Sequence, residues 1–127
     1  MLNKGLRDEE KIRIDNVLKT LRTLVYVPYP LNALQKSDLE NQLKEFGLNL
    51  ESLIDYSNED LTTLLMRLHF DWEQLEQFAD ILMELSKDEN CHFENKALAV
   101  YQYIQAESKA FSFGINSKIA SAKAKKQ

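Results

Sequence analysis

The stretch that decides the fold is FDWEQLEQFADILMEL, residues 70–85. Apolar side chains recur in it every three or four residues, the spacing of one face of an α-helix: Trp72, Leu75, Phe78, Ala79, Leu82 and Leu85. Asp71 precedes this stripe, and its carboxylate can accept a free backbone N–H of the first turn. Phe70 and Leu75 have the spacing of a hydrophobic staple around that cap. The stretch therefore predicts a central helix that contributes to the core.

The segment before residue 37 predicts a first helix and a connector. Residues 8–26 carry an apolar stripe at helical spacing. The two prolines of residues 27–30 end this helix, because proline lacks the N–H that a helix needs and restricts the residue before it. We expect residues 27–31 to form an ordered, extended connector that is anchored by Tyr26, Tyr29 and Leu31.

Three short helices are predicted between the connector and the central helix. Ser37 begins an S-x-x-E capping box, and Gly47 is placed to end the helix that follows in a left-handed turn. Asn49 and Ser57 are the predicted N-caps of the next two helices. His69 follows the last of them, and we expect its side chain to bond a backbone carbonyl there.

The remainder of the chain predicts a long helix and a shorter one. A polar loop, residues 86–92, precedes a helix over residues 93–111, and a brief loop of this kind favours an antiparallel helix hairpin. We expect Trp72 to be largely buried against that helix. Residues 115–124 predict one or two further helical turns.

Together these patterns predict an all-α fold with a single compact domain of six or seven helices and a C-terminal antiparallel helix hairpin. The domain is expected over residues 1–122, and the basic tail, residues 123–127, is expected to fray because it lacks large apolar side chains. No alternating run of β-branched residues indicates a strand.

Composition limits the class of protein more than it limits the chemistry that the protein could perform. No apolar run approaches the roughly 18–20 residues of a membrane span, and the N-terminus lacks the apolar segment of a signal peptide. We therefore expect a cytoplasmic protein with no membrane partner. Neither a glycine-rich phosphate loop nor a G-x-S-x-G motif is present, so we expect no cofactor and favour a nonenzymatic role.

Charge is unevenly distributed along the chain. Residues 1–37 carry seven Lys/Arg and four Asp/Glu, residues 38–94 carry three and fifteen, and residues 95–127 carry six and one. The corresponding net charges are +3, −12 and +5, which sum to the formal charge of −4. Either the basic ends fold against the acidic middle and neutralise it, or acidic surface remains for a basic partner.

A row of carboxylates on the central helix is the candidate docking face. Glu76, Asp80 and Glu84 are four residues apart, and Glu73 joins them three residues before Glu76. Like charges at this spacing each cost a helix about 0.2–0.5 kcal/mol. Three sources of compensation are open: solvent and salt, a basic protein partner or a second copy of the chain, or cations from elsewhere in the chain. The internal candidates are Arg13, Lys19, Arg22, Lys118 and Lys123.

The alternative function is a small enzyme or a metal-binding protein. Glu89 and His92 have the E-x-x-H spacing of di-iron carboxylate proteins, but such sites need a second copy of the motif, which this sequence lacks. Cys91 lies beside His92, although a catalytic thiol and imidazole come together from distant segments. We therefore predict no metal ligand and no catalytic residue.

Nucleic acid is not expected as a partner. The lysines of the C-terminal tail could contact phosphates without sequence preference. The last sixty residues contain no arginine, however, and residues 38–94 are strongly acidic.

The predicted hairpin, residues 72–111, resembles a tetratricopeptide repeat in outline. Trp72 and Leu75 match the W-x-x-L of the repeat's first helix, and Ala97 and Tyr101 match the small and aromatic positions of its second. Glu76 departs from the pattern because the repeat has a small residue there. The chain has no second copy of the pattern, and an isolated repeat cannot bury its apolar face.

A broader resemblance covers about the last two thirds of the chain. The segments FGLNLESL, FDWEQLEQFADIL and KALAVYQYIQAESKAFSF are similar to sequences of small uncharacterised helical proteins of Bacteroidota. This resemblance implies a compact helical domain and supplies no site residue.

Overall fold

The protein is described here by a computed structural model over residues 2–88, 91–108 and 113–126. Within these residues it forms seven α-helices, one 3₁₀-helix (Lys44–Phe46) and no strand, which confirms the predicted all-α domain. The α-helices are α1 (Leu2–Val25), α2 (Ala33–Leu43), α3 (Leu50–Asp55), α4 (Asn58–Arg67), α5 (Trp72–Leu85), α6 (Glu94–Glu107) and α7 (Phe113–Lys126).

Most of one side of helix α5 lies in the core, as its apolar stripe predicts. Its residues Leu75, Phe78, Ala79, Ile81, Leu82 and Leu85 are buried. Phe78 packs edge-on against Phe46 and Phe70, with ring centroids 6.1 Å away in both cases. Helix α5 packs against α1 and α6, and α6 also packs against α4 and α7. The core is therefore arranged around α5 and α6.

The predicted caps of α3, α4 and α5 are confirmed. Asn49 accepts the backbone N–H of Ser52 at 2.7 Å, and Ser57 accepts that of Asp60 at 3.0 Å. Asp71 accepts the N–H of Gln74 at 2.8 Å. These side-chain oxygens bind N–H groups that have no partner within the first turn of a helix.

The predicted cap at Ser37 is wrong. Helix α2 begins one turn earlier, where Asn32 accepts the N–H of Gln35 at 2.7 Å and the Gln35 side chain accepts the N–H of Asn32 at 2.8 Å. Both N-x-x-Q and S-x-x-E can form a capping box. The earlier one is used because the chain is free to become helical as soon as the proline segment ends. Helix α1 also starts earlier than predicted, at Leu2 rather than residue 8.

The connector between α1 and α2 is fixed by two of its three predicted anchors. Leu31 is buried, and the hydroxyl of Tyr29 donates to the carbonyl of Val25 at 2.7 Å. Tyr26 is not an anchor, because it is 56% exposed. The segment bends along its length and includes a cis peptide bond between Tyr29 and Pro30.

The C-terminal helices differ from their predicted bounds. Helix α6 ends at Glu107, and the predicted last residues of this helix, 109–111, lie outside the described residues. Helix α7 is longer than predicted and continues to Lys126, with Ile115, Ile119 and Ala122 buried. The α5–α6 hairpin stays a prediction in its detail, although the hydroxyl of Ser86 accepts the N–H of Phe93 at 3.1 Å where α6 begins.

The expectation that Trp72 is largely buried is wrong. Its side chain is 39% exposed and contacts the ring of Tyr103 on α6, with centroids 6.0 Å apart. Trp72 is the first residue of α5, so its side chain lies at the end of the apolar stripe, where less of α6 covers it. Ile54 on α3 is another large apolar residue that is exposed, at 56%.

We expect alanine substitutions of the two aromatic residues of α5 to lower the free energy of unfolding by clearly different amounts. Phe78→Ala should cost about 3–5 kcal/mol, as large buried aromatic residues do, because Phe78 is fully buried. Trp72→Ala should cost about 2 kcal/mol, because its side chain is only partly buried and makes one aromatic pair. Chemical denaturation of both variants measures the difference, and equal losses would contradict the exposed position of Trp72.

Within the part of the chain that the structure describes, two turns place a residue in the left-handed region. Gly47, with φ 71°, ends the 3₁₀-helix, and the N–H of Leu48 donates to the carbonyl of Leu43. His69, with φ 70°, ends α4 in a similar turn through its backbone N–H, which donates to Met66 at 3.0 Å. The side chain of His69 is exposed. The predicted hydrogen bond from its imidazole to a carbonyl is therefore wrong, because the backbone N–H of His69 closes the turn.

These two positions give a matched test of backbone strain. A Cβ added at Gly47 meets no atom within 4 Å, so Gly47→Ala should cost only the left-handed conformation, about 1–2 kcal/mol. His69→Gly should remove a similar strain and raise the free energy of unfolding by about 0.5–1 kcal/mol. Urea unfolding of the two variants tests this, and a His69→Gly variant less stable than the wild type would contradict it.

Candidate functional site

The predicted acidic row lies along one side of α5. Glu73, in the first turn, is exposed, whereas Glu76, Asp80 and Glu84 are partly buried. The row is therefore partly covered by its neighbours rather than simply solvated. We refer to these four residues as the acidic row.

A lysine from the C-terminal helix occupies the middle of the acidic row. Lys118 on α7 donates to Glu76, and its Nζ lies 2.9 Å from Oδ2 of Asp80. About a third of the Lys118 and Glu76 side chains and about a quarter of the Asp80 side chain are exposed. Lys118 is thus the internal candidate that the structure brings to the row. Two carboxylates on successive turns of α5 share one ammonium group.

The pKa of Lys118 reflects this position. Burial by itself lowers the pKa, but the hydrogen bonds and charges of Glu76 and Asp80 more than offset that effect and raise the pKa above its ordinary value. Lys118 is therefore fully charged at neutral pH. Each of its two partners can bind it as a charge-assisted hydrogen bond.

A tyrosine on α6 holds the remaining oxygen of Asp80. The hydroxyl of Tyr101 donates to Oδ1 of Asp80 at 2.5 Å, while Oδ2 accepts from Lys118. Burial raises the pKa of Tyr101 well above its ordinary value, and the hydrogen bond to Asp80 raises it further. The hydroxyl therefore stays protonated and keeps donating. Asp80 is fixed from two sides and joins α5 to both α6 and α7.

The C-terminal end of the acidic row borders a cleft. Glu84 pairs with Lys87 at 2.9 Å, one turn further along the chain. A cleft of about 380 Å³ lies between this end of α5 and α7. Its lining includes Glu84, Tyr26, Lys118 and Lys125. Both signs of charge therefore meet at this end of the row.

The basic ends of the chain fold against its acidic middle. Lys11 on α1 pairs with Asp71 at 3.2 Å, and Arg13 on α1 donates to the carbonyl of Glu45 at 3.2 Å. Lys118 on α7, in the basic C-terminal part of the chain, likewise pairs with carboxylates of the acidic middle. These contacts favour internal neutralisation for part of the charge. Among the described residues, the four carboxylates of the acidic row pair with two lysines, Lys87 and Lys118.

Only part of the alternative site around Glu89 lies within the described residues. Glu89 lies outside the described residues, Cys91 is partly buried and His92 is exposed. Burial, followed by the charge of Asp88, raises the pKa of the Cys91 thiol, which is opposite to the activation that a nucleophilic cysteine needs. Among the described residues, no three His, Cys, Asp or Glu side chains are grouped so as to hold a metal ion.

One polar residue that the sequence reasoning missed links α5 to α1. Gln74 is buried, its Oε1 accepts the N–H of Asp71 at 2.9 Å, and its Nε2 donates to Oδ1 of Asp15 at 2.8 Å. The D-x-x-Q spacing at Asp71 could have identified the capping half of this arrangement. The contact with Asp15 joins residues far apart in sequence, so no local pattern predicts it.

No described helix is both long and apolar enough to cross a membrane. Comparison of the chain with protein-family models, with curated proteins and with solved structures gives no match. The functional argument therefore depends on the surfaces of the molecule itself.

Proposed function

We propose that this chain is a nonenzymatic helical protein-interaction module whose acidic row binds a basic segment of a protein partner. The observation that carries the proposal is the position of Lys118 between Glu76 and Asp80. It is an internal example of the recognition that we propose, in which a lysine carried by a helix binds carboxylates on successive turns of α5. A cytoplasmic setting is part of the proposal.

The partner is expected to bind beside α7 rather than to replace it. Displacing α7 would expose Ile115, Ile119 and Ala122, which are buried. Burial of a large aliphatic side chain contributes about 1.5–3 kcal/mol, which is more than an exposed ion pair returns. The carboxylate of the row that remains for a partner is therefore Glu73, which is exposed, whereas Glu84 at the cleft would be shared between the partner and Lys87.

The chemistry of Cys91 supports a nonenzymatic role over the alternative. A partly buried thiol with a raised pKa is mostly protonated at neutral pH, and the thiolate is the reactive form. Metal analysis of the purified protein separates the two functions. Stoichiometric iron or zinc would favour the metal-binding alternative at Glu89, Cys91 and His92.

A lysine–serine peptide without apolar residues is a direct probe of the acidic row. We expect it to bind the full chain and its glutamate–serine counterpart not to bind. Glu73→Gln with Glu84→Gln should weaken binding by about five- to thirtyfold, because each exposed ion pair contributes up to about 1 kcal/mol. Fluorescence anisotropy of labelled peptide measures this, and binding should weaken as salt is added.

The matched control removes the same charge elsewhere. Glu9→Gln with Glu51→Gln changes two exposed glutamates, on α1 and α3, and raises the net charge by the same two units. We expect this variant to keep the affinity of the wild type. If both double variants lose affinity equally, binding follows net charge and the acidic row is not a docking face.

A further inference from the structure

The centre of the acidic row is a cation site that the chain fills with its own lysine. The Nζ of Lys118 contacts Glu76 and lies 2.9 Å from Oδ2 of Asp80, so the carboxylates of two successive turns converge on one position. Glu73 and Glu84 lie at the two ends of the row and do not share this contact. Lys118 therefore divides the row into a filled centre and two ends.

Asp80 is oriented toward this position by a group other than Lys118. The hydroxyl of Tyr101 donates to Oδ1 of Asp80 at 2.5 Å, which leaves Oδ2 for the ammonium group. Tyr101 is buried on α6, so this anchor does not depend on the Lys118 side chain. A carboxylate that is already oriented loses little freedom when it binds a cation. Without Lys118, the centre of the row is thus prepared to bind another cation.

The backbone of α7 is held by contacts other than this ion pair. Ile115, Ile119 and Ala122 are buried, and α7 packs against α6. The Lys118 side chain is about one third exposed, so it can turn toward solvent while the helix stays in place. Release of Lys118 therefore opens the centre of the row and preserves the packing of α7.

Lys118 competes with a partner for this central position. A group held on the same chain has an effective concentration on the order of millimolar or higher, whereas a partner in the cell is more dilute. A single lysine of the partner would form the same kind of ion pair and has no energetic advantage over Lys118. The partner is therefore restricted to the ends of the row while Lys118 is in place.

We infer that Lys118 is an autoinhibitory contact that withholds Glu76 and Asp80 from a basic partner and limits the affinity of the acidic row. This inference rests on the proposed function, because it concerns the same carboxylates and the same kind of partner, a segment rich in lysine. Release of Lys118 adds two carboxylates to those that the partner reaches in the resting protein. The row then binds at its centre as well as at its ends.

The test measures binding of the lysine–serine peptide to the full chain with and without the Lys118 ammonium group. Lys118→Gln should tighten binding by about five- to thirtyfold, because two more ion pairs become available and each changes Kd by up to about fivefold. Lys118→Met, which retains the apolar part of the side chain, should give the same gain. Lys118→Arg retains the charge and should give none. Fluorescence anisotropy of the labelled peptide measures all three.

Lys123→Gln is the matched control. It removes the same charge from an exposed position on the same helix, and among the described residues Lys123 forms no ion pair with the acidic row. We expect its affinity for the peptide to stay close to that of the wild type. Adding Glu76→Gln to Lys118→Gln should cancel most of the gain, because one of the two freed carboxylates is then lost.

The outcomes separate this inference from the proposed function. Equal affinities of the Lys118→Gln and Lys123→Gln proteins would overturn the inference, as would a full gain in Lys118→Arg or a gain that Glu76→Gln leaves unchanged. The proposed function would still stand if the wild type binds through Glu73 and Glu84. Absence of binding by the wild type and by every Lys118 variant would overturn both. Binding by Lys118→Gln but not by the wild type would support the inhibitory contact and show that the ends of the row do not bind a partner alone.

Discussion

Burial of α5 against several neighbours at once is the constraint on which this structure depends. Its stripe packs against α1 and α6, and Phe78 meets Phe46 and Phe70 from the segments before it. Gln74 lies inside this packing and is tolerated because its amide bonds both Asp71 and Asp15. A buried polar group without partners would be costly, so this contact also fixes how α5 lies against α1.

This packing determines what the exposed side of α5 can do. Once the stripe is buried, the remaining side of the helix carries Glu73, Glu76, Asp80 and Glu84. Lys118 relieves the repulsion at the centre of the row, while Tyr101 fixes Asp80 in place. We propose that a helix edge that holds one lysine in this manner also binds the cations of a partner.

Local physical signals predicted the parts of the fold that are local. Asn49, Ser57 and Asp71 are caps because each side chain bonds an N–H three residues away, and the helical stripes follow from period alone. The predicted start of α2 was wrong because two possible capping boxes, beginning at Asn32 and at Ser37, follow one another closely. The exposure of Trp72 was missed because periodicity gives the side of a helix but not how far its neighbours extend along it.

The candidate site was predictable only in part for the same reason. The acidic row follows from the sequence of α5, and Lys118 was one of five internal cations that could have reached it. Only tertiary packing selects among them, since packing of α7 against α6 places Lys118 beside Glu76, whereas Arg13 contacts Glu45 instead.

The central claim is that carboxylates of the acidic row bind a lysine in the folded protein. A double-mutant cycle with Lys118→Gln and Glu76→Gln tests it most directly, by measuring the free energy of unfolding of both single variants and the double variant. We expect a favourable coupling of about 0.5–1 kcal/mol that decreases with added salt, the scale of a partly exposed ion pair. Coupling of zero at low salt would contradict the account, because the two side chains would then act independently.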